Sequence, residues 1–579
     1  MTDEHTATKS IASEFLGLLE EEMARVRELV ANDEVGIGLI CAVRELDLCY
    51  LSVREGRPSL RELDAFWLLR AGLPHYVRAT FEQVPSFRVP TLTIAHERAT
   101  SALAKGVVRR VGQVHQGRRL AFAAMDGAIS VEKIGPKLFR FKMPSAFEGI
   151  EAYERAIEAD YFQTYQTLLR SGAKKQFGSE TEAYIEKLLA EHVYVWRGRY
   201  IGYNAHPSLD DYFFGMAYGE LFADRGFDSF HFSLQFGGVC FREYRLALAY
   251  LLSVARKHER FCRALIRKHP DIKLEDIITV TGERQDMIDG IYTVVNRYGP
   301  SFEGFRPITM AQAETIYRVL SVRRDNAAVL GSGHATVPLL IEISPTHVVK
   351  SVAGAQISAS HFLLDALRHN FKSEYDRHQR TREKSMQKAL RRILSQTVPG
   401  LEYRENIDIK RNGKRRTDID FVAIDPRSRT ALLFQLKHQD AYGADMQKRL
   451  SRSNHLIEDT LKWSARIDEW LAETPRGLVA STLRLRKGIK VEHYKKVVIG
   501  RHFAHILHAF ASKERFAVAT FMQFGAAVDA LETQGDFKTL EGLFNLLLAS
   551  MAKAASYPAP LPGAHFDLGE TKFEIEVVA

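Results

Sequence analysis

Residues 417–437 read TDIDFVAIDPRSRTALLFQLK and carry the clearest fold signal in the chain. Two mostly apolar runs, 417–425 and 430–437, flank Pro-Arg-Ser-Arg at 426–429. Runs of this length on either side of a four-residue turn predict two antiparallel strands. In both runs most side chains on either face of the predicted strand are apolar, which is typical of strands covered on both faces in an α/β domain.

The residues on either side extend this pattern. A further strand is predicted at 403–410, and the Asn412-Gly413 pair after it is a strong two-residue hairpin signal. An amphipathic helix is predicted at 375–396 and a longer one at 444–471. The order is therefore helix, three-strand antiparallel meander, helix, and strands near 495–500 and 516–522 are expected to extend the sheet.

The turn at 426–429 fixes which residues oppose each other on the two strands. Counting away from it, Asp420 opposes Gln435, and Asp418 opposes Lys437. Side chains alternate along a strand, so all four share one face. Opposed Cβ atoms lie roughly 5 Å apart. Two acids, an amide and an ammonium group are therefore expected to meet in one patch.

The first hairpin suggests one more member of this patch. If Asn412-Gly413 is the loop, Glu405 opposes Asp420. Two facing carboxylates repel each other, and a cation between them would remove that cost. Glu405 is therefore a candidate metal ligand, although a slip of one residue would place it on the other face.

Positive charge is concentrated just before these strands. Residues 372–416 hold 14 basic and 6 acidic side chains, a net +8 against +9 for the whole chain. Such a stretch is typical of proteins that contact phosphate backbones, and the alternative is a solvated helix face. The candidate nucleic-acid-binding residues are Arg380, Lys384, Lys388, Arg391, Lys414, Arg415 and Arg416.

The patch has the chemistry for phosphodiester hydrolysis. Oxygen ligands from Asp420 and Gln435, with Asp418 nearby, suit Mg²⁺, and Mn²⁺ is the other candidate. Lys437 is placed to orient or deprotonate a water and to offset the anionic transition state. Glu383 reaches the metal if its helix packs over the sheet, and otherwise serves as a surface ion-pair partner. The alternative for the two aspartates is partly exposed acids neutralised by Lys437.

These residues resemble the active-site motif of the PD-(D/E)xK nuclease superfamily, whose restriction-endonuclease-like core is an α-β-β-β-α unit. The matching residues are Asp418-Ile419-Asp420 and Phe434-Gln435-Leu436-Lys437. The resemblance covers 373–470 and implies Asp420 and Gln435 as metal ligands, Lys437 as the catalytic lysine and Glu383 as a helix acid. Gln435 stands where glutamate is commoner, which weakens metal binding and leaves activity open.

The fold class predicted for the whole chain is α+β and multidomain. A helical region is expected at 1–90, a small β-containing insert at 91–147 and a mainly helical region of unknown role at 148–370. The restriction-endonuclease-like α/β domain, with extra strands and helices, is expected at 371–579. The region before it is expected to recognise a target, gate the nuclease or bind a second copy or a regulatory partner.

Composition excludes several classes of protein. With 46% hydrophobic and 26% charged residues, the chain is neither disordered nor collagen-like. The four cysteines lack zinc-site spacing, and their number suits a reducing compartment. No segment has the length of a membrane span, and no signal peptide is predicted. We therefore expect a soluble cytoplasmic protein without a membrane partner.

The sequence thus predicts a metal-dependent nuclease that cuts nucleic acid, with double-stranded DNA as the expected partner. The layout suits a prokaryotic restriction or anti-phage defence effector, by analogy of architecture alone. Two alternatives remain open. One is an inactive nucleic-acid-binding protein with a nuclease-like fold, and the other is a structural or regulatory protein whose Asp/Lys patch is only an ion-pair network.

Overall fold

A computed structural model of the protein shows mixed α and β structure built around two large hydrophobic cores. One core is formed mainly by residues between Ala12 and Tyr375, and the other by residues between Met386 and Met551. The structure describes residues 3–33, 36–55, 59–87, 96–127, 129–144, 180–223, 230–331, 336–357, 359–379, 381–411, 413–438, 446–501, 504, 507–508, 510–511, 515–533, 538–554 and 564–578. Within them, no helix combines the length and apolar character needed to cross a bilayer.

Helices form most of the first core. They are α1 Asp3–Ala31, α2 Ile37–Glu55, α3 Leu60–Gln83, α4 Arg98–Met125, α5 at 180–192, α6 Pro207–Ala223, α7 Phe241–Lys268, α8 Leu274–Ile277, α9 Arg284–Tyr298, α10 Met310–Leu320, α11 Val352–Ile357, α12 Ala359–Asn370 and α13 Lys372–Gln379.

Short strands accompany these helices. They are β1 Ser130–Gly135, β2 Leu138–Pro144, β3 Val193–Trp196, β4 Tyr200–Tyr203, β5 Gln235–Phe236, β6 Val239–Cys240, β7 Val280–Glu283, β8 Ser321–Val322, β9 Leu340–Glu342 and β10 His347–Lys350. The last four form one sheet in the order β7-β10-β9-β8, and the pairs β3–β4 and β5–β6 form separate hairpins.

The β-containing insert expected at 91–147 includes the strands β1 and β2, but residues Arg98–Met125 within it form the helix α4. Gly112 of α4 and Gly72 of α3 allow these two helices to pack closely. A Cβ on Gly112 would lie 2.1 Å from the carbonyl oxygen of Leu68 on α3, and one on Gly72 would lie 2.0 Å from that of Val108. The strands described in this region, β1 and β2, pair as an antiparallel hairpin.

The second core surrounds a five-stranded sheet. Its elements are α14 Arg382–Thr397, β11 Glu402–Arg411, β12 Lys414–Asp425, β13 Thr430–Lys437, α15 Met446–Glu473, α16 Arg476–Thr482, β14 His493–Gly500, β15 Phe516–Thr520, α17 Phe521–Glu532 and α18 Leu540–Ala554. The strand order is β11-β12-β13-β14-β15. β11, β12 and β13 pair antiparallel, and β14 and β15 continue the sheet in parallel. The predicted helix, three-strand meander, helix order is therefore confirmed.

One predicted helix is divided in two. The segment expected as a single helix at 375–396 breaks between α13 and α14. At the break, the backbone N–H and the hydroxyl of Thr381 both donate to the carbonyl oxygen of His378, at 3.0 and 2.7 Å. These bonds satisfy a carbonyl that a continuous helix would pair with the N–H of Arg382.

The C-terminal strands β16 Ala564–Asp567 and β17 Lys572–Val578 leave the second core. They complete a sheet with the order β1-β2-β17-β16, in which β17 runs parallel to β2. Phe573 on β17 packs against Phe15 of α1, with ring centroids 5.4 Å apart, and near Phe141 of β2. Residues 564–578 thus belong to the first core although we grouped them with 371–579.

Two partly buried histidines, His75 of α3 and His115 of α4, have their rings in contact. The rings of His75 and His115 have centroids 4.3 Å apart. Burial, with the positive charges of Arg118 and Arg78, lowers the pKa of His75 to about 4. Burial and the neighbouring His75 hold the pKa of His115 well below its usual value. Both rings are therefore neutral in the folded protein at pH 7.

We predict that this pair makes the protein sensitive to mild acid. In the unfolded chain each histidine binds a proton near pH 6.5, so the free energy of unfolding falls as pH drops from about 6.5 to about 4. For His75 the loss is about 2 kcal/mol at pH 5, and His115 changes the stability in the same direction. A His75→Gln, His115→Gln double variant should show a smaller drop in Tm between pH 7 and pH 5 than the parent. The exposed His369→Gln variant is the control, and an unchanged drop in the double variant would contradict the prediction.

Candidate active site

Asp420 lies where the pairing of β12 and β13 ends. The ladder runs from Asp425 opposite Thr430 to Phe421 opposite Phe434, which confirms the predicted register. Beyond it, one carboxylate oxygen of Asp420, Oδ2, accepts hydrogen bonds from Gln435 Nε2 at 2.5 Å and from the backbone N–H of Leu436 at 2.6 Å. Asp420 is 2% exposed, and these two bonds join β12 to β13 just beyond the end of their backbone pairing.

Glu383 reaches Asp420 from the first turn of α14. The carboxylate of Glu383 lies within hydrogen-bonding reach of the Asp420 carboxyl group. Burial raises the pKa of Asp420, the Leu436 N–H opposes that shift, and the negative charges of Glu383 and Asp418 raise the pKa further. Glu383 itself is exposed, so the pair lies at the boundary between the core and solvent.

Gln387 supports this contact and was not among the predicted site residues. Its Nε2 donates to the backbone carbonyl of Asp420 and to Asn406 Oδ1, both at 2.9 Å. It follows Glu383 by one helical turn, and residues at that spacing lie on the same helix face. The i, i+4 spacing to a candidate acid was the one sequence signal that pointed to it.

Lys437 lies two residues beyond Gln435, so strand alternation places both side chains on one face. Its Nζ lies 3.4 Å from Asp459 Oδ2 on α15. The expected pairing with Asp418 falls outside the ladder, and Asp418 pairs with Arg415 at 2.6 Å. Asp459 was not predicted, because the register of a helix against a sheet cannot be counted from a turn.

The predicted position of Glu405 is wrong. Arg411 pairs with Lys414, as the predicted hairpin requires, but a bulge between Ile409 and Lys410 shifts the register by one residue. Glu405 therefore opposes Phe421 and not Asp420, which places it on the other face of the ladder. Glu405 lies beside α14, and its carboxylate is 3.8 Å from Nη1 of Arg391 on that helix.

The basic side chains differ in how far they are available to a ligand. Lys384, Lys388, Lys414 and Arg416 are exposed. Arg391 is 61% exposed and lies over the ring of Tyr403. Arg415 pairs with both Asp408 and Asp418. Arg380 lies outside the described residues. Lys384 and Lys388 are thus two of the exposed bases on the helix that carries Glu383, with Arg391 and Arg392 further along it.

The donors at this site fit a hard divalent cation. Asp420 and Glu383 offer carboxylate oxygens, and Gln435, whose amide nitrogen donates to Asp420, also carries an amide oxygen. Mg²⁺ prefers oxygen ligands and keeps several waters, so it does not need a full protein cage. In the described part of the chain, no group of three or more His, Cys, Asp or Glu side chains is arranged to hold a metal. The candidate set has two acids, and its third donor is an amide.

Protein-family models, curated proteins and solved structures return no match to this chain.

We predict that Gln387→Leu destabilises the protein. It removes the donor from two acceptors, the buried carbonyl of Asp420 and the amide oxygen of Asn406, which costs about 1–3 kcal/mol. Gln396→Leu is the matched control, because Gln396 is exposed on the same helix. Urea titrations of both variants compare the free energies of unfolding, and equal effects would contradict the prediction.

Proposed function

We propose that the protein is a metal-dependent nuclease that hydrolyses phosphodiester bonds in DNA. One observation carries this proposal: the carboxyl of Glu383 meets that of Asp420, which also holds the amide of Gln435. Two acids in contact at the boundary of the core repel each other when both are ionised. A divalent cation between them would relieve this repulsion, which supports a binding site over a structural ion pair.

The residues of the chain divide the chemistry between them. Asp420, Glu383 and Gln435 would hold Mg²⁺, which supplies positive charge against the charge that develops on the phosphate during hydrolysis. Lys437 contributes an ammonium group on the same strand face as Gln435 and can orient the attacking water. Asp459 fixes the direction of that ammonium group through their ion pair.

The nucleic-acid partner is supported by charge next to this site. Lys384 and Lys388 are exposed and follow Glu383 within the first turns of α14. The segment 372–416, to which they belong, holds a net +8. Phosphate contacts from these lysines would place a backbone linkage beside the carboxyl pair, because all three residues share one rigid helix. By analogy with this layout, we also propose a role as a restriction or anti-phage defence effector.

A second function is favoured by one residue. Gln435 supplies an uncharged donor where a third acid would strengthen metal binding, so a nucleic-acid-binding protein without cleavage activity is the alternative. A third reading, an ion-pair network without ligand, is supported by the Lys437–Asp459 and Arg415–Asp418 pairs.

We predict that Asp420→Asn and Lys437→Ala each lower DNA cleavage by about 100-fold or more, since each removes a group that acts on the reacting phosphate or its metal. Plasmid incubated with Mg²⁺ or Mn²⁺ measures the rate. Asp271→Asn and Lys187→Ala, exposed changes on the first core, are matched controls and should cut like the parent.

The outcomes separate the three functions. Cleavage by the parent and the controls, with loss in both site variants, supports the nuclease. Tight salt-dependent binding without cleavage by the parent supports the inactive binder. Neither binding nor cleavage supports the ion-pair network.

We predict that a Lys384→Gln, Lys388→Gln double variant binds DNA more weakly at every sequence tested. Loss of two phosphate contacts should lower the slope of log affinity against log salt by about 2. Fluorescence anisotropy across a salt series measures both quantities, with Lys187→Gln as the matched control. A slope equal to that of the parent would show that these lysines do not contact phosphates.

A further inference from the structure

Arg382, the residue before Glu383, is buried against aromatic rings. Its guanidinium lies 4.3 Å from the ring centroid of Phe230 and 4.9 Å from that of Tyr375. Its Nη2 also donates to Tyr375 Oη at 2.6 Å. Phe230 belongs to the first core, so this contact joins the first core to the start of α14. The proposed nuclease chemistry does not use Arg382.

The segment that follows Phe230 in the first core also contacts α13 directly. The backbone N–H of Gly237 donates to Glu374 Oε2 at 2.8 Å, and His378 Nε2 lies 3.1 Å from the carbonyl oxygen of Gln235. The ring of Phe236 lies 5.2 Å from that of His378 in an edge-to-face arrangement. Residues 230–237, the anchoring loop, thus hold both sides of the break between α13 and α14.

The first turn of α14 has no side-chain cap of the usual kind. Thr381 is its N-cap residue, but the Thr381 side chain accepts no hydrogen bond from the helix and instead donates to His378. An uncapped first turn frays unless other contacts hold it. Here those contacts are the aromatic rings around Arg382 on one side and the hydrogen bonds of Gln387 on the other. Glu383 lies between the two.

We propose that Arg382 is a positioning residue, which with the anchoring loop holds Glu383 against Asp420 and so makes the metal site depend on the first core. This inference rests on the proposed function, since it assumes that the carboxyl pair binds a divalent cation. Loss of the anchor leaves Asp420 and Gln435 in place on the sheet and releases only the donor that α14 supplies. The result is a weaker site that keeps its remaining ligands.

Calorimetric titration of the full chain with Mn²⁺ tests this directly. Partners that orient a ligand typically change metal affinity by about 10–100-fold. We expect Arg382→Gln to weaken binding by about 10-fold and Glu383→Gln by at least as much. In the double variant, Arg382→Gln should add nothing to Glu383→Gln, because the arginine acts through that carboxylate. Arg392→Gln, an exposed change on the same helix, should bind like the parent.

Each failure has its own signature. If Arg382→Gln binds like the parent, or weakens binding equally when Glu383 is already replaced, the positioning role is overturned while the metal site stands. If the parent shows no binding that Asp420→Asn removes, the proposed function and this inference both fall. If Arg382→Gln does not fold, Phe230→Leu replaces it, since that change removes one ring from Arg382 and keeps the Tyr375 hydrogen bond. Parent-like affinity in Phe230→Leu would then overturn the inference.

Discussion

The second core and the candidate site both depend on the contacts of one buried group, the carboxylate of Asp420. It accepts hydrogen bonds from β13 at the point where the ladder with β12 ends, and it meets Glu383 from the helix above. A buried acid needs such partners because desolvation disfavours its charge. The contacts that stabilise the end of the sheet are therefore also the contacts that would gather oxygen donors around a cation.

The pairing of β12 and β13 could be predicted because its determinants are local. A four-residue turn and two apolar runs fix the register, and the structure places Gln435 against Asp420 as counted. Glu405 was misplaced because a single-residue bulge is not visible in hydrophobic alternation. The neighbour of Glu405, Asn406, has a φ of 51°. Asparagine tolerates this left-handed backbone conformation better than most residues.

The features that escaped prediction depend on long-range packing. Gly112 of α4 allows the backbones of α3 and α4 to approach closely, which only the partner helix reveals. Gln387, Asp459 and the anchoring loop act through contacts between distant segments, and sequence spacing carries little information about them. The net charge of the segment 372–416 follows from its composition, but its local pairs, such as Arg415 with Asp418, depend on strand geometry.

The parallel pairing of β17 with β2 has a consequence for synthesis. β2 emerges from the ribosome together with the helices of the first core, whereas its neighbour β17 is translated only after the whole second core. Until then β2 presents unpaired N–H and C=O groups on one edge, and such edges recruit other strands. The first core therefore cannot finish folding before the second core has been synthesised, because β16 and β17 follow the second core in the chain. A shortened chain that lacks β16 and β17 would keep the edge of β2 unpaired and open to pairing with strands of other chains.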